Sequence, residues 1–114
     1  MTRDEVVAKW ETLTPRERDA WVAEVAFGKT VERERRPNGS ISVFTDVGIR
    51  QALPYYTTDI SAAWAVVNTS DRFDIGGFGG DVTASLGHPG WYVSAPTAPE
   101  AICLAALIAR ITKE

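Results

Sequence analysis

Two short stretches of the sequence carry residues suited to binding chemistry. Thr57-Thr58-Asp59 and Thr97-Ala98 each close a loop and open a helix. Unpaired N–H groups at a helix start, threonine hydroxyls and the positive end of the helix dipole suit a phosphate or carboxylate. The same threonines can instead cap their own helices, with Thr58 and Thr97 as the capping residues. Asp59 opposes an anion directly above it and suits a ribose hydroxyl or a base amine. Tyr55 and Tyr56 precede the first stretch and Tyr92 the second. Flat rings stack on nucleobases for about 1–3 kcal/mol per base. Trp91 and Val93 read as core, which leaves Tyr92 and one of Tyr55 and Tyr56 exposed. Arg50 stands in a long loop, and its guanidinium fork matches phosphate oxygens. Arg33, Arg35, Arg36 and Arg72 are further cations for an anionic ligand, although Glu32, Arg33, Glu34 and Arg35 also read as a solvated edge. The candidate ligand-binding set is therefore Arg50, Tyr55, Tyr56, Thr57, Thr58, Asp59, Tyr92, Thr97 and Ala98.

Catalytic chemistry has less to work with. His88 is the single histidine and lies in the turn Gly87-His88-Pro89-Gly90, without a second histidine for a metal or a triad. Cys103 falls on an apolar helix surface and reads as a small buried hydrophobe. Asp74 and Asp81 flank a turn and read as solvated rather than as an acid–base pair. Gly76-Gly77-Phe78-Gly79-Gly80 lacks the lysine and hydroxyl of a phosphate-binding loop and reads as a hairpin tip. The expectation is a protein that is not an enzyme and uses no metal or cofactor.

These residues must be positioned by helices and strands that the sequence marks well. Thr2-Arg3-Asp4-Glu5 is a capping box that opens a short helix to about Trp10. Thr14-Pro15-Arg16-Glu17 opens a helix over 15–27, stopped by Gly28. Val31 to Arg36 and Ile41 to Thr45 form a hairpin around Asn38-Gly39, the first strand a charged edge. Residues 46–57 form a long loop. Ile60, Ala63, Trp64 and Val67 give the stripe of a helix opened at Thr58-Asp59. Arg72 to Ile75, Asp81 to Leu86 and Trp91 to Ala95 read as strands. Thr97-Ala98-Pro99-Glu100 launches a largely buried helix from Ala98 to about Thr112. The order α-α-β-β-α-β-β-β-α predicts an α+β fold with an antiparallel sheet of about five strands and three main helices.

The chain has 114 residues, which fits one domain spanning 1–114. Twelve basic and fifteen acidic residues give a net charge of −3. That excludes a protein whose main work is coating nucleic acid. From Phe73 to Ala109 there is no Lys or Arg. No apolar run approaches the roughly 20 residues of a membrane span, and no leader is visible at the start. One cysteine fits a reducing compartment.

Leu53-Pro54-Tyr55-Tyr56-Thr57-Thr58-Asp59-Ile60-Ser61-Ala62-Ala63-Trp64 and Thr97-Ala98-Pro99-Glu100-Ala101-Ile102-Cys103-Leu104-Ala105-Ala106-Leu107 together resemble the phage ABA-sandwich domain family. The likeness covers about residues 15–112. It implies a phage or prophage origin, an α/β/α-type sandwich and no catalytic activity. The expected function is an accessory protein in the host cytoplasm that binds a small anionic or nucleotide-like ligand. One form of that role is a sponge for a bacterial immune second messenger, its site completed by a second subunit. The alternatives are a module that inhibits a host protein, or a structural phage component. An exposed apolar patch that includes Phe78 and Tyr56 favours the host-protein reading. A concave polar surface at residues 55–59 favours the ligand reading.

Overall fold

The computed structural model describes residues 1–33, 41–44, 48–70, 72–78, 80–86 and 92–112. The expectations for Arg35, Arg36, the Asn38-Gly39 turn, Gly79, His88 and Trp91 lie outside the described residues.

Local signals set the helix boundaries. The Thr2 hydroxyl accepts from the Glu5 amide, and the Glu5 carboxylate accepts from the Thr2 amide, opening α1 (Arg3–Thr12). Thr14 caps α2 (Pro15–Phe27), whose proline sits where no N–H is needed. Gly28 ends α2 with φ 62°, a left-handed position that a side chain would strain. Asp59, rather than Thr58, caps α3 (Ile60–Val67), accepting from the Ser61 amide at 3.0 Å. The Thr97 hydroxyl accepts from the Glu100 amide at 3.4 Å at the head of α4 (Ala98–Thr112).

The strands are β1 (Val31–Arg33), β2 (Ile41–Phe44), β3 (Arg50–Ala52), β4 (Phe73–Phe78), β5 (Asp81–Leu86) and β6 (Val93–Ala95). They form two antiparallel sheets, ordered β1-β2-β3 and β4-β5-β6. The α+β class and the element order hold. The strand count differs because β3 lies inside the predicted loop. Arg50, Gln51 and Ala52 are all exposed, so no burial pattern marks that strand. The glycine-rich stretch is strand as well as tip: Gly76 and Gly77 pair with Thr83 and Val82 in an unbroken ladder.

Strand alternation sorts the second sheet into two faces. Ala84, Leu86, Val93 and Ala95 are buried on the face that packs against α4. The opposite face carries exposed Asp74, Ser94 and Tyr92. At the centre is α4, buried from Ala101 to Ile108 and packed against α1, α2, α3, β5 and β6. Its apolar surface runs nearly all round, as expected of a helix with protein on most sides.

Candidate functional site

The residues proposed from sequence divide into three groups. The first is structural. Tyr56 is buried and stacks on Phe27 with centroids 5.2 Å apart. Its carbonyl accepts from the Cys103 thiol at 3.2 Å. Burial raises the Tyr56 phenol above its ordinary pKa, aided by Cys103 and Asp19. Burial, reinforced by Asp19 and Glu100, pushes the Cys103 thiol far up and keeps it protonated, which agrees with an inert core cysteine. Thr57 is 1% exposed, and both its amide and its hydroxyl donate to Asp19. Residues 55–59 therefore form a fastened turn, not a polar bowl.

Arg16 completes the fastening. Its guanidinium donates to the Leu53 and Pro54 carbonyls and to Asp19, and lies 3.9 Å from the centre of the Tyr55 ring. Asp19 and Arg16 give no signal in the sequence for this role. They read there as ordinary members of a charged helix.

The second group stands apart on the surface. Arg50 is on β3 and reaches diagonally across β2 to Glu32, with N to O at 3.6 Å. An exposed pair of this kind contributes about 0–1 kcal/mol. Tyr55 is exposed, as are Thr58 and Asp59.

Of the remaining residues, Thr97 caps α4, Tyr92 lies on the outer sheet face, and Ala98 alone borders a cleft. Trp64 of α3 and Phe73 of β4 contact edge to face, centroids 6.0 Å apart, with planes at 82°. They border a cleft of about 510 Å³ that also contacts Ile60, Asp74, Ile75, Ala98 and Ile102. Ile60 opens α3 and Ala98 opens α4, so first-turn residues of both helices border the cleft, whereas Thr57, Thr58, Asp59 and Thr97 do not. What the two helices deliver there is apolar. Ile60 is 45%, Trp64 44% and Phe73 55% exposed. Asp74 is the one charged residue at its rim among the described residues. Alternation carries its side chain to the other sheet face, where the carboxylate accepts from the Tyr92 hydroxyl. That bond raises the Tyr92 phenol above its ordinary pKa. The Arg3 guanidinium donates to the Tyr92 carbonyl and ties α1 to the same face.

Sequence reasoning did not select Ile60, Trp64 and Phe73 for this cleft. Ile60 and Trp64 lie in the apolar stripe that marked α3 in the sequence, yet the residues α3 buries are Ala63, Val66 and Val67. A helix with one hydroxyl among eight otherwise apolar side chains has more apolar surface than one core contact consumes, and that excess was the available signal.

Among the described residues no group of three or more His, Cys, Asp or Glu side chains is placed to hold a metal ion. Nor is any helix among them long and apolar enough to cross a membrane.

The scaffold is a two-sheet α+β domain around one apolar helix, with the segments 53–64 and 97–107 at that helix and its neighbour α3. The chain belongs to the Phage ABA sandwich domain family, whose sequence profile matches residues 20–107. It is similar to a phage protein from Bacillus cereus ATCC 14579 solved by crystallography at 2.0 Å. That structure aligns with TM-score 0.65 at 26% identity, covering 86% of this chain and 93% of the other. No curated protein matches the sequence.

Proposed function

We propose that the chain is a phage accessory protein that acts by non-covalent binding in the host cytoplasm, with the α3–β4 cleft as its working surface. Its preferred occupant is part of a host protein. The observation that carries this reading is the cluster of half-exposed Ile60, Trp64 and Phe73 around the cleft. Contiguous exposed apolar surface marks interaction sites on small domains. A soluble anionic ligand finds little here, because no cation borders the cleft among the described residues.

One observation favours a second reading, the nucleotide sponge. The cleft volume of about 510 Å³ falls in the range of small-molecule sites. Two aromatic rings at its mouth suit a base, although the phosphates would need cations from elsewhere.

Retention of host proteins by the immobilised wild type, Trp64→Ala and Phe73→Ala tests the first reading. The expected result is a host protein held by the wild type and lost from both variants. Equal retention by all three would remove the cleft from the account. A panel of cyclic and linear nucleotides in thermal-shift measurements tests the second. A ligand at 100 times its Kd stabilises by about 2.7 kcal/mol, a shift of several degrees in a domain this size. A shift abolished by Trp64→Ala would move the conclusion to the sponge.

A further inference from the structure

We infer that the free edge of β4 accepts an extended, basic and apolar segment of the partner protein as an added strand in the α3–β4 cleft. This rests on the cleft being the binding surface, and it specifies how the partner is held.

The backbone comes first. In the sheet ordered β4-β5-β6, β4 is an edge, and among the described residues no strand pairs with its outer side. In an antiparallel ladder, alternate residues direct N–H and C=O away from the paired strand. An edge six residues long thus presents a template for another strand. The other edges are blunted. β1 carries exposed Glu32, β3 carries Arg50, and β6 is only three residues long. β4 reads Phe73-Asp74-Ile75-Gly76-Gly77-Phe78, with no lysine, no proline and a single charge.

The glycines are the second observation. Gly76 and Gly77 lie inside a strand, where glycine weakens the sheet. Neither has a positive φ. The chain's own packing does not require them. A Cβ at Gly76 would meet its nearest atom at 3.5 Å, and one at Gly77 at 3.9 Å, both ordinary contacts. Interior strand glycines without a turn or a clash to explain them mark the close approach of another backbone.

Electrostatics chooses the occupant. α3 contains no charged side chain and is capped by Asp59. From Phe73 to Ala109 the chain holds Asp74, Asp81 and Glu100 but no Lys or Arg. A second copy would bring the same acidic stretches face to face. A strand bearing Lys or Arg beside apolar residues complements them, with the apolar side chains against Trp64 and Phe73.

The test pans a random twelve-residue peptide library against the full chain, then measures affinities of the recovered peptides by calorimetry. Recovered peptides are expected to pair basic with apolar residues and to lose at least tenfold in affinity when alternate backbone nitrogens are methylated. Trp64→Ala should cost a similar factor. Gly77→Val should raise Tm yet weaken binding, since it adds strand propensity but crowds the approach. Peptides lost by Trp64→Ala yet indifferent to N-methylation would overturn strand addition while leaving the cleft as the binding surface. Peptides indifferent to Trp64→Ala would overturn both. Failure to recover any peptide, acidic peptides, or a chain that sediments as a dimer dissociated by Gly77→Val would overturn the inference in favour of another occupant.

Discussion

Asp19 Oδ1 accepts two hydrogen bonds from Thr57, 38 residues further along the chain: the amide at 2.8 Å and the hydroxyl at 2.7 Å. Its other oxygen takes the Arg16 guanidinium at 2.8 Å. Both Asp19 and Thr57 are buried, and the pair fixes the turn that leads into α3. A carboxylate in the core is tolerated because its acceptor positions are filled.

Asp19→Ala is expected to cost about 3 kcal/mol, because bonds to a charged acceptor are lost and the Thr57 donors are left buried and unpaired. Thr57→Val should cost about 1–2 kcal/mol, since the amide bond survives. Urea denaturation of the two variants checks the order. Losses below 0.5 kcal/mol for Asp19→Ala would mean that the turn holds without this contact.

The Tyr92–Asp74 bond has a titration signature. Its acceptor favours the protonated phenol and raises the native pKa above the ordinary 10.0. The stabilisation is therefore fully present below pH 10 and is lost as pH rises through the higher native value. In a spectrophotometric titration Asp74→Asn should move this phenol back toward 10, because Asp74 is the first cause of the shift. An unchanged titration curve would show that the bond does not form in solution.

Cys103 is completely buried and hydrogen-bonded to the Tyr56 carbonyl. Its thiol should resist a disulfide-exchange reagent in the native protein and react promptly in denaturant, since thiolate is the reactive form. Rapid reaction without denaturant would contradict the packing of α4.

The Trp64–Phe73 surface should bind an apolar fluorescent dye in the native state. Trp64→Ala should reduce that binding strongly while changing stability by less than about 1 kcal/mol, as expected for a residue in surface rather than core packing. A large loss of stability would place Trp64 in the core after all.

Much of the scaffold could be read from local chemistry. Thr2, Thr14, Pro15, Gly28 and Thr97 act where their conformational preferences place them, so the helix boundaries needed no knowledge of the fold. The exposure of Tyr55 and Tyr92 and the burial of Tyr56 also followed the expectation of one exposed loop tyrosine. The site was harder to see. Asp19 meets Thr57 across 38 residues, and no spacing rule connects them. Trp64 and Phe73 lie on separate elements, and periodicity placed Trp64 in one stripe with Ala63 and Val67 without telling which of them stays exposed. Which part of an apolar helix is left uncovered depends on how its neighbours pack, and that is a tertiary property. Arg50 illustrates the converse. An arginine in an apparent loop suggested a ligand, but a strand invisible to pattern reading placed it beside Glu32.

The position of α4 governs how the chain reaches its native state. This helix joins α1 and α2 to the second sheet, so the core closes between stretches far apart in sequence. Such closures cost chain entropy before the burial that offsets them is complete, and they slow folding relative to helical bundles of local contacts. Until that core closes, the apolar side chains of α4 are open to solvent together with the β4 edge and the Trp64–Phe73 surface. Refolding should therefore lose yield as protein concentration rises, and a partner that occupies the cleft early would shelter the stretch most prone to aggregate.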